Sequence, residues 1–212
     1  MGSFNLYDFL ISLPGLIIAL TFHEYAHAVV ADYLGDDTPR YQGRLTINPI
    51  AHLDLIGFIM LAWAHFGWAK PVQVNPVNFR RDVGMRKGMM LVSLGGPGMN
   101  LLMVILGVVI MRMFNINYIW PWENVASASS LIFSQIINYN LFLGFFNLIP
   151  VPPLDGSKIL AGLLPADKGD FIYDLERYGM IILIILVFSG LIGKIIDPPV
   201  YGILKIIEAF LS

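Results

Sequence analysis

From Phe9 to His27 the chain reads FLISLPGLIIALTFHEYAH, and this stretch decides the fold class and where chemistry is to be sought. Phe9 to Phe22 carries no charge, and two histidines and a glutamate then follow with no helix breaker among them. Ala28-Val29-Val30 resumes the apolar sequence, and after Leu34 Gly35 and Asp36-Asp37 end the helix, as a glycine just past the last periodic residue does. A helix from about Leu6 to Leu34 is about 40 Å long at 1.5 Å per residue, enough to cross a bilayer with some tilt. Ionisable side chains inside such a helix are costly in lipid and usually mark function.

Composition agrees with a membrane protein. Of 212 residues 57% are hydrophobic and 13% charged, against roughly a quarter charged in soluble domains, and the mean hydropathy is +0.70. The absence of cysteine excludes disulfide scaffolds, thiol nucleophiles and cysteine-built metal sites. A net charge of −2 with no basic block argues against nucleic acid as a partner. Chemistry is left to His, Asp, Glu, Ser, Asn and the backbone.

Beyond the first helix, Arg44–Pro49 and Lys70–Pro76 are short, β-branched and end in Asn-Pro, which predicts two short strands with turns. Between them the apolar stretch Leu53–Trp68 is short for a span and suits a re-entrant segment. Three longer hydrophobic helices are expected, near 89–111, 130–148 and 178–193, followed by an amphipathic tail over 198–211. The expected fold is therefore an all-α polytopic membrane protein with about four to six membrane segments. A short β-element and a re-entrant segment lie between its first helix and the next span. One domain is expected over 1–212, with a core over about 6–164 and C-terminal helices over about 172–211.

Lys and Arg set orientation. Loop 69–88 holds Lys70, Arg80, Arg81, Arg86 and Lys87, and loop 155–177 holds Lys158, Lys168 and Arg177, whereas loop 112–129 holds only Arg112. The first two loops should be cytoplasmic and the third external. With 53–68 re-entrant, the first helix runs inward, parallel to helix 130–148.

His23-Glu24-Tyr25-Ala26-His27 places two imidazoles at i and i+4, on one helix face about 6 Å apart, able to share one ion. Glu24 projects beside that ion, where it can take a proton from water. A catalytic zinc needs a third protein ligand and an open position. Candidates are His52, Asp54, His65, Glu123 and Asp155. Asp155 stands out, because Pro150, Pro152 and Pro153 break the preceding helix, Gly156 permits a tight turn, and the parallel topology brings it to the leaflet of the His pair.

His23-Glu24-Tyr25-Ala26-His27, Gly96-Pro97-Gly98-Met99-Asn100 and the run from Asn147 through Leu154-Asp155-Gly156 together resemble the site-2 protease family of intramembrane zinc metalloproteases. The similarity spans about Thr21 to Leu164. Tyr41–Pro49, with Gly67-Trp68-Ala69-Lys70-Pro71, resembles the small prokaryotic branch without a PDZ domain. The resemblance implies one zinc ion held by His23, His27 and Asp155, with Glu24 catalytic. The implied substrate is a membrane-anchored protein with a transmembrane segment, cut in the lipid bilayer of a prokaryotic cell membrane with the active site toward the cytoplasmic leaflet.

A substrate helix must unwind to be cut, and its freed backbone groups need partners. Addition of the unwound peptide along Arg44–Asn48 or Val72–Asn75, near Thr46 or Val74, would supply them. Asn140 and Asn147, seven residues apart on one helix face, are candidates for positioning the substrate or its oxyanion. Gly95, Gly96 and Gly98 are expected to permit close helix packing. The alternative is a non-proteolytic membrane zinc-binding protein or zinc transporter, which would need ligands at more than one depth. The sequence carries no signal for oligomeric state.

Overall fold

The computed structural model describes residues 6–57, 60, 69–118 and 127–211. Seven helices are named here: α1 Leu6–Tyr33, α2 Thr38–Tyr41, α3 Met85–Met113, α4 Ala128–Asn147, α5 Asp155–Leu163, α6 Ala166–Phe188 and α7 Leu191–Leu211. α1, α3 and α4 pack against one another, and α5 lies on α3.

Close approaches set the directions of these helices. Gly15 of α1 lies against the Gln135 backbone of α4, where a Cβ would meet its carbonyl at 2.7 Å, and Gln135 donates to Ser12 Oγ at 3.2 Å. Further along, Ala19 of α1 and Asn140 of α4 meet through Asn100, so α1 and α4 run parallel. α3 opposes both: Gly95 sits against Ala26 and Val30, and Gly107 against Ile137. The chain between α1 and α3 therefore leaves and re-enters at the same end of the bundle, where Arg80 N donates to Leu34 O at 2.8 Å. Most of 53–68, the expected re-entrant segment, lies outside the described residues.

Two parts of the expected fold class are corrected. Among the described residues there is no strand, only an isolated bridge between Leu53 and Ala69. Asn48 and Asn75 instead accept from the amides two residues on, starting short 3-10 turns at Pro49–Ala51 and Pro76–Asn78. Proline in these turns and at Pro71 withdraws the donors a ladder needs. The buried Arg44 also takes the carbonyls of Ala51 and Lys70. The second correction concerns the number of membrane segments. Among the described residues two helices, Phe9–Tyr33 and Met85–Met113, are long and apolar enough to cross a membrane, and the bent pair Leu175–Phe188 and Leu191–Leu211, counted as one span, raises this to three. α4 is not among them, because serines, a glutamine and asparagines dilute its apolar sequence, and most of these are buried in the bundle.

The segment after α1 is tied down by one carboxylate. Asp36 is fully buried and accepts from the Thr38 amide and hydroxyl, the Asn75 amide and the Asn78 side chain. Burial alone would raise its pKa, but the bonds from Thr38, Asn78 and Asn75 outweigh this and hold the carboxyl below its ordinary value. From Pro71 to Asn75 the chain forms neither helix nor turn and exposure alternates residue by residue, Val72 and Val74 being the less exposed.

Candidate metal centre

The glutamate and both histidines occupy one buried turn of α1. His23 Nε2 and His27 Nε2 are 3.0 Å apart, and each is 3.2 Å from Asp155 Oδ2. The other nitrogen of each ring is already committed. His27 Nδ1 is 2.8 Å from the carbonyl of Val92, which can only accept, so this nitrogen carries the proton. His23 Nδ1 is 2.7 Å from Asn100 Oδ1. The Asn100 NH2 end is fixed by its donation to Ala19 O at 3.1 Å, so its oxygen accepts from His23. When both rings are neutral, Nε2 of each is therefore a bare lone pair, aimed at the same place as a carboxylate oxygen.

Three electron-pair donors in mutual contact repel unless a cation lies among them. Asp155 Oδ2 is buried with no hydrogen-bond partner. Ligands at 2.0–2.1 Å from a tetrahedral zinc are about 3.3–3.4 Å apart, close to the separations found here. His23, His27 and Asp155 are the group of ligand-type side chains among the described residues that can hold a metal ion. Gly96 completes the cradle, since a Cβ there would lie 2.6 Å from His27 Nε2 and 2.7 Å from His23 Nε2.

Asp155 arrives through α5. It stands in the first turn of that helix, where the dipole favours a carboxylate. Leu154 O takes both the amide and the hydroxyl of Ser157, and Gly156 lets the turn close against the end of α4, within reach of Leu148 and Ile149. α3 then holds α5 in place. Gly162 packs on Met90, and Arg86 donates to the carbonyls of Ala161 in the last turn of the helix and of Leu164 and Pro165 beyond its end. On the other side Glu24 Oε2 accepts from the Val72 amide at 3.0 Å, bringing the Pro71–Asn75 segment to the centre.

The remaining expected residues fall elsewhere. His52 is fully buried and donates through Nε2 to Thr46 O at 2.7 Å, and Asp54 accepts from the Gly57 amide at 2.8 Å, so neither joins the His23, His27 and Asp155 group. His65 and Glu123 lie outside the described residues. Asn140 is fully buried and spans two partners, accepting from Asn100 at 2.9 Å and donating to Ile136 O at 2.8 Å. Asn147 donates to Leu143 O at 3.1 Å and is half-buried. Thr46 receives the Asn48 amide on its hydroxyl, and Val74 packs toward the cluster of Ala31, Leu34, Phe79 and Val92.

The profile of peptidase family M50 matches residues 116–190. YwhC of Bacillus subtilis, named as a candidate zinc metalloprotease, is 39% identical over 186 residues, covering 86% of this chain and 82% of YwhC. The chain belongs to peptidase family M50. Rip2 of Mycolicibacterium smegmatis, also named as a candidate zinc metalloprotease, is 26% identical over 196 residues, covering 91% of this chain and 72% of Rip2. MJ0611 of Methanocaldococcus jannaschii, named likewise, is 26% identical over 161 residues, covering 74% of this chain and 73% of MJ0611. No solved structure matches the chain. Membership in M50, the site-2 protease family, makes this chain a membrane metalloprotease, a hydrolase of peptide bonds.

Two M50 site features were not read from the sequence. In the sequence Asn100 figures only as the last residue of the Gly96-Pro97-Gly98-Met99-Asn100 element, with no role of its own, yet it stands four residues after Gly96, on the same helix face, and Gly96 lies against the His pair. The amide of Val72 could not be found at all, because a backbone donor leaves no trace in the side-chain pattern.

Proposed function

We propose that this chain hydrolyses a peptide bond within or beside the transmembrane segment of a membrane-anchored protein, using one zinc ion held by His23, His27 and Asp155. The observation that carries this reading is the convergence of two bare imidazole nitrogens and an unpartnered carboxylate oxygen within 3.2 Å. Zinc in such a site supplies Lewis acidity toward a peptide carbonyl and toward water. Glu24 accepts the proton that the attacking water loses and delivers it to the departing amine nitrogen. The Val72 amide holds Glu24 Oε2, so the carboxylate keeps one orientation through both transfers.

An unwound substrate needs backbone partners. Among the described residues no hydrogen bond uses the backbone of Gln73 or Val74, which leaves this extended edge available for peptide addition. Thr46 is the poorer edge, since its carbonyl already accepts from His52. Of the two asparagines, Asn147 is half-buried and has the better access for positioning the substrate oxyanion, whereas both ends of the Asn140 amide are engaged. The Lys/Arg-rich loops leave from the end of the bundle that holds α5 and the start of α3, which supports a multi-pass protein of a prokaryotic cell membrane with its centre toward the cytoplasmic leaflet.

The test is Glu24→Gln against wild type in lipid vesicles holding a single-span protein substrate, with zinc counted by mass spectrometry. Both proteins should hold one zinc, and cleavage by the variant should fall about 10²–10⁴-fold. A transporter would keep moving zinc with glutamine at this position. Equal cleavage by both, or wild type without zinc, would end the reading.

A further inference from the structure

We infer that Asn100, held in turn by Asn140, is a positioning residue that fixes the ring orientation and tautomer of His23 for zinc. The inference rests on the metalloprotease reading above and extends it to two side chains that touch neither ion nor substrate. The chain of amides has a determined direction because the nitrogen of each amide donates to a backbone carbonyl. Asn140 Nδ2 donates to Ile136 O, leaving its oxygen to accept from Asn100 Nδ2 at 2.9 Å. Asn100 Nδ2 also donates to Ala19 O at 3.1 Å. The oxygen of Asn100 can then only accept, and the group it faces at 2.7 Å is His23 Nδ1. A proton on Nδ1 leaves Nε2 unprotonated, as a metal ligand requires.

Asn100 and Asn140 are both fully buried, so no water competes for these bonds. The arrangement is asymmetric between the two histidines. His27 is oriented by the carbonyl of Val92, which no side-chain substitution removes, whereas His23 is oriented by a side chain that can be changed. The three links lie on α1, α3 and α4, so the tautomer of one ligand is coupled to the packing of the three long helices.

An interhelical clasp with no bearing on the metal would show the same bonds, and carboxylate substitution separates the two roles. Asn100→Asp keeps an acceptor for His23 Nδ1 but loses both bonds donated by Nδ2. Zinc affinity is measured by chelator competition on purified protein in detergent, with helicity and thermal unfolding recorded for each variant. Asn100→Ala should weaken zinc binding about 10–100-fold. Asn100→Asp should return it to within a few-fold of wild type even though its unfolding temperature falls. Asn140→Ala, which cuts only the outer link, should weaken zinc less than Asn100→Ala does, and it serves as the test should Asn100→Ala fail to fold. Zinc affinity unchanged in folded Asn100→Ala, or Asn100→Asp binding no better than alanine, would overturn the inference. Unchanged affinity in Asn140→Ala, with Asn100→Ala unfolded, would overturn it too. Wild type that takes up no zinc would instead overturn the metalloprotease reading beneath it.

Discussion

Replacing Gly96 by alanine should empty the metal centre while leaving the protein folded. The added carbon would stand 2.6 Å from His27 Nε2 and 2.7 Å from His23 Nε2. Non-bonded heavy atoms settle at about 3.5 Å, so the methyl is about 0.8–0.9 Å too close to both ligand atoms. Coordination distances hold to about 0.2 Å, so neither ring can retreat far enough and still share an ion with Asp155. Zinc affinity should fall by at least about 10–100-fold and cleavage by about 100-fold or more. Stability should change little. Overpacking costs about 1–3 kcal/mol, and the better helix propensity of alanine returns about 1 kcal/mol. Gly98→Ala, two residues further along α3, is the control, since a Cβ there meets nothing within 4 Å. It should keep zinc and activity and gain about 0.5–1 kcal/mol in stability. Zinc content and vesicle cleavage measured on both variants decide the matter. Full zinc in Gly96→Ala, or loss of zinc in Gly98→Ala, would refute the cradle.

Two further predictions concern the segment that crosses the centre. Val72→Pro deletes the amide that holds Glu24 and should lower kcat about 10–100-fold, while Val72→Ala, which keeps the N–H, should lower it far less. Val74→Pro should instead raise KM with zinc content intact, and steady-state kinetics giving both proline variants the same kcat and KM changes would sink the division of roles. The second prediction concerns Asp36, whose pKa is lower in the folded protein. Its charge stabilises the fold at pH above the ordinary aspartate value of about 4, and that contribution drains away as the pH falls through the lowered folded value. Asp36→Asn should therefore destabilise by about 1–3 kcal/mol at pH 7, with the gap to wild type closing in acid. A gap in chemical denaturation that stays constant from neutral to acid pH would contradict this.

The candidate ligands were legible in the sequence because their chemistry is local. Two histidines four residues apart can serve one ion on any helix, and Asp155 follows a proline-broken helix whose direction the loop charges set. The first helix was equally plain, and it ends at Tyr33 with Gly35 in a left-handed conformation, φ 107°. The strand expectation failed at Arg44–Pro49 and Lys70–Pro76 because β-branched composition records a preference for extended backbone, not the presence of a partner. Here Arg44 and His52 take the polar groups that a second strand would have used. The helix 130–148 was recognised as an element, but its buried asparagine could not be assigned partners. Its bond to Asn100 depends on how the helices meet, and no window of sequence contains that information.

One consequence follows from α3, which donates no ligand. This helix supplies the glycine against both imidazoles, the carbonyl that steadies His27, the amide that steadies His23, and the methionine and arginine that hold down the aspartate's helix. A saturation mutagenesis map of the enzyme, viewed without coordinates, would therefore show its deepest intolerance over Arg86–Asn100 and invite the conclusion that the reaction happens there. Intolerance to change would be tracing the mould in which the reactive groups are cast, and a designer wishing to alter specificity should leave that mould alone.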